Sequence, residues 1–245
     1  MNRRTLLSGL ALSLVPILDV MQSAISFAAS ASVSETGNQT KYPNTALSMQ
    51  QRYVDEMRAF HKYLAFSEKS IKDGYPNIAY LFAALASSES IHARNFKESL
   101  LELGAEPSLV DGLDFTVSTT RNNLKEATTV EANEINHEYP DIVKLISPEN
   151  HQHSIDITTW AWQAEEQHRE LIVTMQKNVV RWWGIVSAKI EEHPVTYYVC
   201  QVCGSTLTRI PKDKCPICSR PVSEYKQITP PEGYVFKPPK EEEEK

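Results

Sequence analysis

Two copies of the pattern Glu-x-x-His constrain this sequence more than any other feature. Glu89 and His92 form the first copy, and Glu165 and His168 form the second. On an α-helix, residues three apart lie on one face, so each pair can bind a single metal centre. The spacing therefore predicts two helices that each direct a carboxylate and an imidazole towards a metal.

Each copy is preceded by a further glutamate at a similar distance. Glu56 lies 33 residues before Glu89, and Glu131 lies 34 residues before Glu165. Matching positions of the two halves are 75 or 76 residues apart, which indicates a repeated helical hairpin. Glu134 follows Glu131 at i+3 and so faces the same side of its helix. It is the seventh candidate ligand.

This ligand set predicts the fold class. In ferritin-like di-iron or di-manganese bundles, two helices each supply a Glu and two others each supply Glu-x-x-His. The sequence fills all six positions, so we expect a mainly α protein with a ferritin-like four-helix bundle. Five buried carboxylates without a cation would cost several kcal/mol each, whereas two iron ions nearly balance them in both redox states. The histidines favour iron or manganese over calcium or magnesium.

Stripes of large residues at helical spacing predict four long helices. In the first stripe, Tyr53, Met57 and Phe60 flank Glu56. The predicted helices run from near Ala46 to the turn Lys72–Pro76, from about 77 to 103, from about Thr119 to a kink or break at Tyr139-Pro140, and from about 150 to 190.

The four cysteines of the chain form two Cys-x-x-Cys motifs separated by eleven residues: Cys200, Cys203, Cys215 and Cys218. Four thiolates at this spacing indicate a tetrahedral site for zinc or iron. A module this small has too little core to fold without a metal. We favour iron because a redox di-metal site needs an electron source. Zinc, and disulfides if the protein is exported, are the alternatives.

The N-terminus has the features of an export signal. Arg3 and Arg4 precede an apolar run over 6–18, and 29–31 offers a small-x-small cleavage pattern. This is typical of the twin-arginine route, so we expect an exported, periplasmic protein. An uncleaved membrane anchor is the alternative. The formal net charge of −6 argues against a nucleic-acid partner.

From about Ala46 to Ile228 the sequence resembles the rubrerythrins, whose ligands and cysteine motifs occur in the same order. The resemblance implies a ferritin-like di-iron domain followed by a rubredoxin-like FeS4 domain. It also implies a peroxidase that reduces hydrogen peroxide to water in oxidative-stress defence. An exported copy would lack the cytosolic reductase that serves most relatives, so the electron donor is unknown.

The resemblance also implies roles for particular residues. His92 and Glu134 would exchange as ligands of one iron when the redox state changes. Tyr63 and Tyr139 would hydrogen-bond the ligand glutamates. The protein would be a homodimer in which the FeS4 site of one subunit faces the di-iron centre of the other.

The expected divisions are 1–31 (signal peptide), 32–44 (linker), 45–192 (ferritin-like bundle), 193–229 (small rubredoxin-like metal-ribbon domain) and 230–245 (disordered tail). Two other functions fit the same residues. A ferroxidase or iron-handling protein would use the seven ligands to oxidise Fe(II) as a substrate. A non-catalytic metal-binding electron carrier would hold zinc in the four-cysteine site.

Overall fold

The computed structural model describes residues 40–177 and 195–235. Helix α1 (Pro43–Lys72) and helix α2 (Pro76–Glu102) form the first hairpin, joined by a turn at Gly74. Gly74 has a φ of +85°, a conformation that glycine adopts without the steric cost of a Cβ atom. Both helices have proline in their first turn, where no intrahelical N–H donor is needed.

The third helix of the bundle is made of three consecutive pieces. Helix α3 (Thr120–Asn133) passes into a π-helical turn (Glu134–Glu138), and helix α4 (Tyr139–Ile146) continues from it. At the position of the expected kink or break, Tyr139-Pro140, the helix therefore continues through a widened turn and does not end. Pro140 has no N–H, and in an α-helix its ring would clash with the carbonyl four residues earlier. The π-turn contains that carbonyl, at Asn136, and gives it more room.

Helix α5 (Gln152–Lys177) completes the bundle after a short 3₁₀ turn (Ser147–Glu149). The predicted fourth helix extended to about 190, and the part after Lys177 lies outside the described residues. The predicted signal peptide, most of the linker and the end of the tail (236–245) also lie outside them. None of the helices that the structure describes is both long and apolar enough to span a membrane.

Two apolar clusters fill the bundle. One contains Tyr63, Phe66, Phe82, Leu85 and Ile172, and the other contains Met49, Phe96, Tyr139, Ile157 and Ala161. Along α1, α2 and α5, the predicted metal ligands lie between members of the two clusters. The candidate site is therefore enclosed by apolar side chains towards both ends of the bundle.

A cysteine module (residues 195–235) packs on the bundle. Its sheet consists of β1 (Tyr198–Cys200), β2 (Thr206–Leu207) and β3 (Tyr225–Gln227). Strand β1 lies in the middle and pairs antiparallel with β2 on one side and with β3 on the other. The module contacts α2 and α5, the two helices that carry the Glu-x-x-His patterns. Packing on these helices places the first cysteine motif beside the candidate site.

Candidate metal centre

Six of the seven predicted bundle ligands meet in the interior, and none of them is more than 2% exposed. They come from four helices: Glu56 from α1, Glu89 and His92 from α2, Glu131 from α3, and Glu165 and His168 from α5. Each side chain lies on the buried stripe of its helix, so the helical period alone directs it inward.

These six side chains form two overlapping groups of four. Glu56, Glu89, His92 and Glu165 form one, and Glu89, Glu131, Glu165 and His168 form the other. Within each group the candidate ligand atoms all lie within 4.8 Å of one another. Glu89 and Glu165 belong to both groups. Two shared carboxylates are what a two-metal site needs when both ions are bridged by the same pair of glutamates.

The two imidazoles face the carboxylates through the same ring atom. His92 Nδ1 lies 3.0 Å from Glu89 Oε2 and 3.1 Å from Glu165 Oε1. His168 Nδ1 lies 2.7 Å from Glu165 Oε2 and 3.3 Å from Glu89 Oε1. In each ring, Nδ1 is therefore the atom placed to bind a metal.

The opposite ring nitrogens contact the cysteine module. His92 Nε2 lies 3.2 Å from the carbonyl oxygen of Cys203, and His168 Nε2 lies 3.3 Å from Thr206 Oγ1. A carbonyl oxygen can only accept, so His92 Nε2 donates a hydrogen to Cys203, and Nδ1 can offer its lone pair to a metal when the metal replaces the proton between Nδ1 and the carboxylates. These partners lie more than 35 residues away along the chain, so helical spacing does not predict them.

The ionisation of the cluster shows that it needs compensating positive charge. Burial raises the pKa of Glu56 to about 7. Burial, together with the charges of Glu165 and Glu89, also raises the pKa of Glu131 well above its usual value. Burial alone would lower the pKa of His168, but the same two carboxylates raise it to about 9. Without cations, the site must therefore hold protons on carboxyl groups and imidazoles.

Two carboxylate oxygens in the cluster have unused lone pairs. Glu131 Oε2 and Glu165 Oε1 are buried and have no hydrogen-bond partner among the residues that the structure describes, although Glu165 Oε1 lies 3.1 Å from His92 Nδ1. An unsatisfied buried oxygen costs free energy that a bound cation would recover. The carboxylate and imidazole donors therefore fit two divalent ions of the iron or manganese type.

The part of the chain that carries all six ligands is matched by the family model described as Rubrerythrin, over residues 49–175. The chain belongs to the rubrerythrin family. Rubrerythrin-2 of Clostridium acetobutylicum is 31% identical over 71% of this chain and 91% of its own length. Nigerythrin of Nitratidesulfovibrio vulgaris is 26% identical over 75% of this chain and 86% of its own.

The fold comparison agrees with this membership. A solved structure described as the fully reduced, all-ferrous state of nigerythrin superposes with a TM-score of 0.64 and 24% identity. The match covers 80% of this chain and 91% of that chain. The ferritin-like helical fold predicted from the ligand pattern is confirmed, and the chain belongs to a family of di-iron proteins.

Both tyrosine contacts that the resemblance to rubrerythrins implies are present. The Tyr63 hydroxyl donates to Glu131 Oε1 at 2.5 Å, and the Tyr139 hydroxyl donates to Glu56 Oε1 at 2.6 Å. Each tyrosine thereby fixes one oxygen of a carboxylate and leaves the other oxygen available to a metal.

Glu134, the seventh predicted ligand, lies outside both groups of four. Its Oε1 lies 3.5 Å from Nη1 of Arg52, and its side chain is 14% exposed. Sequence reasoning did not single out Arg52. The sequence feature that could have identified it is its position: Arg52 is a cation one helical turn before Glu56, on the same stripe of α1. The i+3 spacing placed Glu134 on the correct side of its helix, but the spacing contains no information about a competing cation on another helix.

The four cysteine sulfur atoms also lie within 4.8 Å of one another. Cys200 Sγ and Cys218 Sγ are 3.8 Å apart, and Cys203 Sγ and Cys215 Sγ are 3.5 Å apart. Sulfur atoms around a tetrahedral ion are about 3.8 Å apart when each metal–sulfur bond is about 2.3 Å. A disulfide would need about 2.05 Å, and the four cysteines are free. The geometry therefore fits one metal ion better than disulfides.

Tyr225 is a further residue of this site that the sequence did not suggest. Its hydroxyl donates to Cys215 Sγ at 3.3 Å and lies 2.8 Å from the Ser205 hydroxyl. Hydrogen bonds to sulfur ligands stabilise negative charge on the thiolates and tune the potential of an iron held by them.

Proposed function

We propose that this protein is a peroxidase that reduces hydrogen peroxide to water at a di-iron centre in the bundle. Electrons would enter through a third iron ion, held by the four cysteines of a rubredoxin-like module. The observation that carries the proposal is the double contact of His92. Its Nδ1 faces the carboxylate cluster, and its Nε2 lies 3.2 Å from the Cys203 carbonyl oxygen.

His92 gives a short covalent and hydrogen-bonded connection between the two sites. The connection runs from the Cys203 sulfur through its own backbone to its carbonyl oxygen, and then through one hydrogen bond to the imidazole. Gly204 permits this approach, because a Cβ atom at that position would lie 2.3 Å from His92 Nε2. The Ser88 hydroxyl holds the same loop by donating to the Gly204 carbonyl at 2.6 Å.

Two bound iron ions would supply the two electrons that cleave the oxygen–oxygen bond of peroxide. The reaction also consumes two protons, and the chain has an acid next to the cluster. Burial and the charges of Glu165 and Glu56 raise the pKa of Glu134 well above its usual value, against the opposing effect of Arg52. The Glu134 carboxyl group, which lies outside both groups of ligands, can therefore act as a proton donor, and the carboxylate that remains is the form that Arg52 attracts.

Anaerobic titration of the reduced protein with hydrogen peroxide tests the proposal, with visible absorbance reporting both iron centres. We expect one equivalent of peroxide to oxidise the bundle centre and excess peroxide to draw electrons from the cysteine site. Cys203→Ser is the matched control: it should retain the first oxidation and lose the second.

Two results would contradict the peroxidase. Faster oxidation by oxygen with retention of the ferric product would indicate a ferroxidase. Zinc in the cysteine site of protein produced with limiting zinc would remove the electron path and leave a metal-binding protein.

We further propose that the active form is a homodimer in which the module of one chain faces the bundle of the other. In the structure, the module packs on its own bundle, and an exchange between two copies would preserve the same contacts. Mixing Glu165→Gln with Cys203→Ser after joint dissociation distinguishes the two arrangements. A dimer with exchanged modules should recover activity at about a quarter of the sites. No recovery, with a monomer by light scattering, would rule the exchange out.

We also propose export through the twin-arginine route. Replacing Arg3 and Arg4 with lysine should retain the protein in the cytosol, whereas the unaltered protein should accumulate in the periplasm. The N-terminal sequence of the periplasmic form would locate the cleavage site. An intact N-terminus in the membrane fraction would favour the anchored alternative.

A further inference from the structure

Arg52 is a buried cation beside the metal cluster. It lies on α1, one turn before Glu56, and is 3% exposed. Its Nη2 atom forms ion pairs with Asp55 at 2.5 Å and with Glu138 at 2.8 Å. Its guanidinium lies 5.3 Å from the ring centre of Tyr139, whose hydroxyl binds Glu56. The side chain is therefore fixed from three directions by α1, the π-turn and α4.

The other terminal nitrogen of Arg52 faces the ligand carboxylates. Nη1 lies 3.5 Å from Glu134 Oε1 and 3.9 Å from Glu56 Oε1, and it makes no hydrogen bond with any described residue. Nε also has no hydrogen-bond partner among those residues. A buried guanidinium normally uses its planar array of donors, because unused donors cost free energy. The two pairs made by Nη2 anchor the side chain, and the positive charge next to Glu134 is left for another role.

We propose that Arg52 is a positioning residue that holds the Glu134 carboxylate outside the two groups of metal ligands. With both metal ions bound, Glu134 would face two sources of positive charge, the guanidinium of Arg52 and the ions held by the neighbouring ligands. A guanidinium keeps its charge at every relevant pH, so its attraction for Glu134 is constant. The occupancy of the metals and their charge then decide whether Glu134 joins them.

The π-turn lies at the point where the backbone has to adjust if Glu134 moves from Arg52 to the metals. It begins at Glu134, and the winding of the helix widens there from the α to the π pattern. The turn also carries Glu138, whose pair with Nη2 ties Arg52 to the same piece of backbone. Arg52 therefore contacts both ends of the segment that has to adjust when Glu134 changes partner.

The inference rests on the di-metal site of the proposed function, but it does not depend on peroxide as the substrate. Co(II) added to protein whose four-cysteine site is already filled with zinc tests the bundle site alone, without peroxide. Co(II) absorbs strongly in a four-coordinate site and weakly when further ligands bind, so its visible spectrum reports whether a carboxylate has joined. Failure of the unaltered protein to bind Co(II) in the bundle would overturn the metal site itself.

The decisive variant is Arg52→Gln, which removes the charge and keeps a donor near Asp55 and Glu138. We expect the metals to attract Glu134, so the Co(II) absorption should weaken and the dissociation constant should fall about tenfold. Arg52→Lys restores a positive charge and should restore most of the original spectrum. Arg58→Met is the matched control, because Arg58 pairs with Asp55 at 2.8 Å but its side chain is 43% exposed and forms no ion pair with Glu134. Its spectrum should not change.

A double-mutant cycle shows whether Arg52 acts through Glu134. In a Glu134→Gln background, Arg52→Gln should change neither the spectrum nor the affinity by more than about twofold. An equal change in both backgrounds would overturn the inference, because Arg52 would then act on the metals directly or through the fold. Glu134→Gln alone gives an independent check if Arg52→Gln fails to fold. It should leave the Co(II) spectrum unchanged, and an altered spectrum would show that Glu134 is already a ligand and would overturn the proposal.

Discussion

Glu131 depends on one hydrogen bond for its orientation. The Tyr63 hydroxyl binds its Oε1 at 2.5 Å, and its Oε2 has no hydrogen-bond partner among the described residues. Tyr63→Phe should therefore keep the apolar packing, free the carboxylate to rotate and weaken metal binding by about 10- to 100-fold. Competition with a chelator measures this affinity. Tyr80→Phe is the control, because the Tyr80 hydroxyl binds the carbonyl of Ile228 and no ligand. Equal affinity in the two variants would contradict the role of Tyr63.

Gly204 is the residue at which the module approaches His92 most closely. It has a φ of +79°, and an added Cβ would lie 2.3 Å from His92 Nε2 and 2.6 Å from Ser88 Oγ. Gly112 has a φ of +60° with nothing within 4 Å of the same atom, so Gly112→Ala measures backbone strain alone, about 1 kcal/mol.

Gly204→Ala should cost about 2 kcal/mol more than this control, because His92 or the loop must also move. Chemical denaturation measures the difference. The displaced loop should also slow the reduction of the bundle iron by the cysteine site. Equal costs at the two positions would mean that the module does not pack on His92.

At the scale of secondary-structure elements, the sequence predicted what depends on helical period and missed what depends on contacts between elements. The i, i+3 pattern identified the helices and the faces that carry Glu89, His92, Glu165 and His168, because that geometry is local. Arg52 and Thr206 were missed because their partners lie on other elements. The π-turn was also missed, since proline predicts a disturbance in a helix but does not distinguish a break from a wider turn.

One contact between elements caps the first helix. Glu149, in the 3₁₀ turn before α5, accepts from the backbone N–H groups of Asn44 and Thr45 at 2.9 and 2.8 Å. Burial acts to raise the pKa of Glu149, but the hydrogen bond from the Thr45 hydroxyl at 2.6 Å and the two backbone hydrogen bonds outweigh it and lower the pKa below the usual 4.5. A carboxyl group with a lowered pKa contributes stability above its unfolded pKa, and the contribution is lost as the pH falls through its folded pKa.

Glu149→Ala should therefore lower the free energy of unfolding by about 1 kcal/mol at pH 7. The difference from the unaltered protein should shrink below about pH 4, where Glu149 takes up a proton. Denaturant titrations at several pH values measure it. Glu68→Ala is the control, because Glu68 is exposed on the same helix with only a 3.9 Å pair to Lys72. A pH-independent difference would show that the carboxylate charge is not what stabilises the helix.

For the molecule as a whole, the buried ligand cluster lowers the free energy of unfolding of the metal-free bundle. The two apolar clusters stabilise the fold on either side of the ligands, while five glutamates in or beside the site disfavour it whenever they are ionised without a cation. Metal binding should therefore be coupled to folding free energy and to the release of protons.

The coupling has a definite sign in the metal-free protein. The pKa of Glu56 is raised from 4.5 to about 7, so the folded state holds a proton that the unfolded chain loses in that interval. The pKa of His168 is raised from 6.5 to about 9, so its contribution is complete below 6.5 and is lost as the pH rises through 9. Both groups make the metal-free protein less stable as the pH rises.

Between pH 5 and 9 the metal-free protein should lose about 2 kcal/mol or more, equivalent to a Tm lower by about 5 °C. The iron-loaded protein should show no such fall, because the ions replace the protons. Calorimetric melts of both forms test this. In Glu56→Gln one titrating group is absent, so the metal-free variant should lose less stability over the same interval. Parallel pH profiles for the loaded and metal-free proteins would mean that the buried carboxylates are not balanced by metal, because exchange of protons for cations is the only source of the expected divergence.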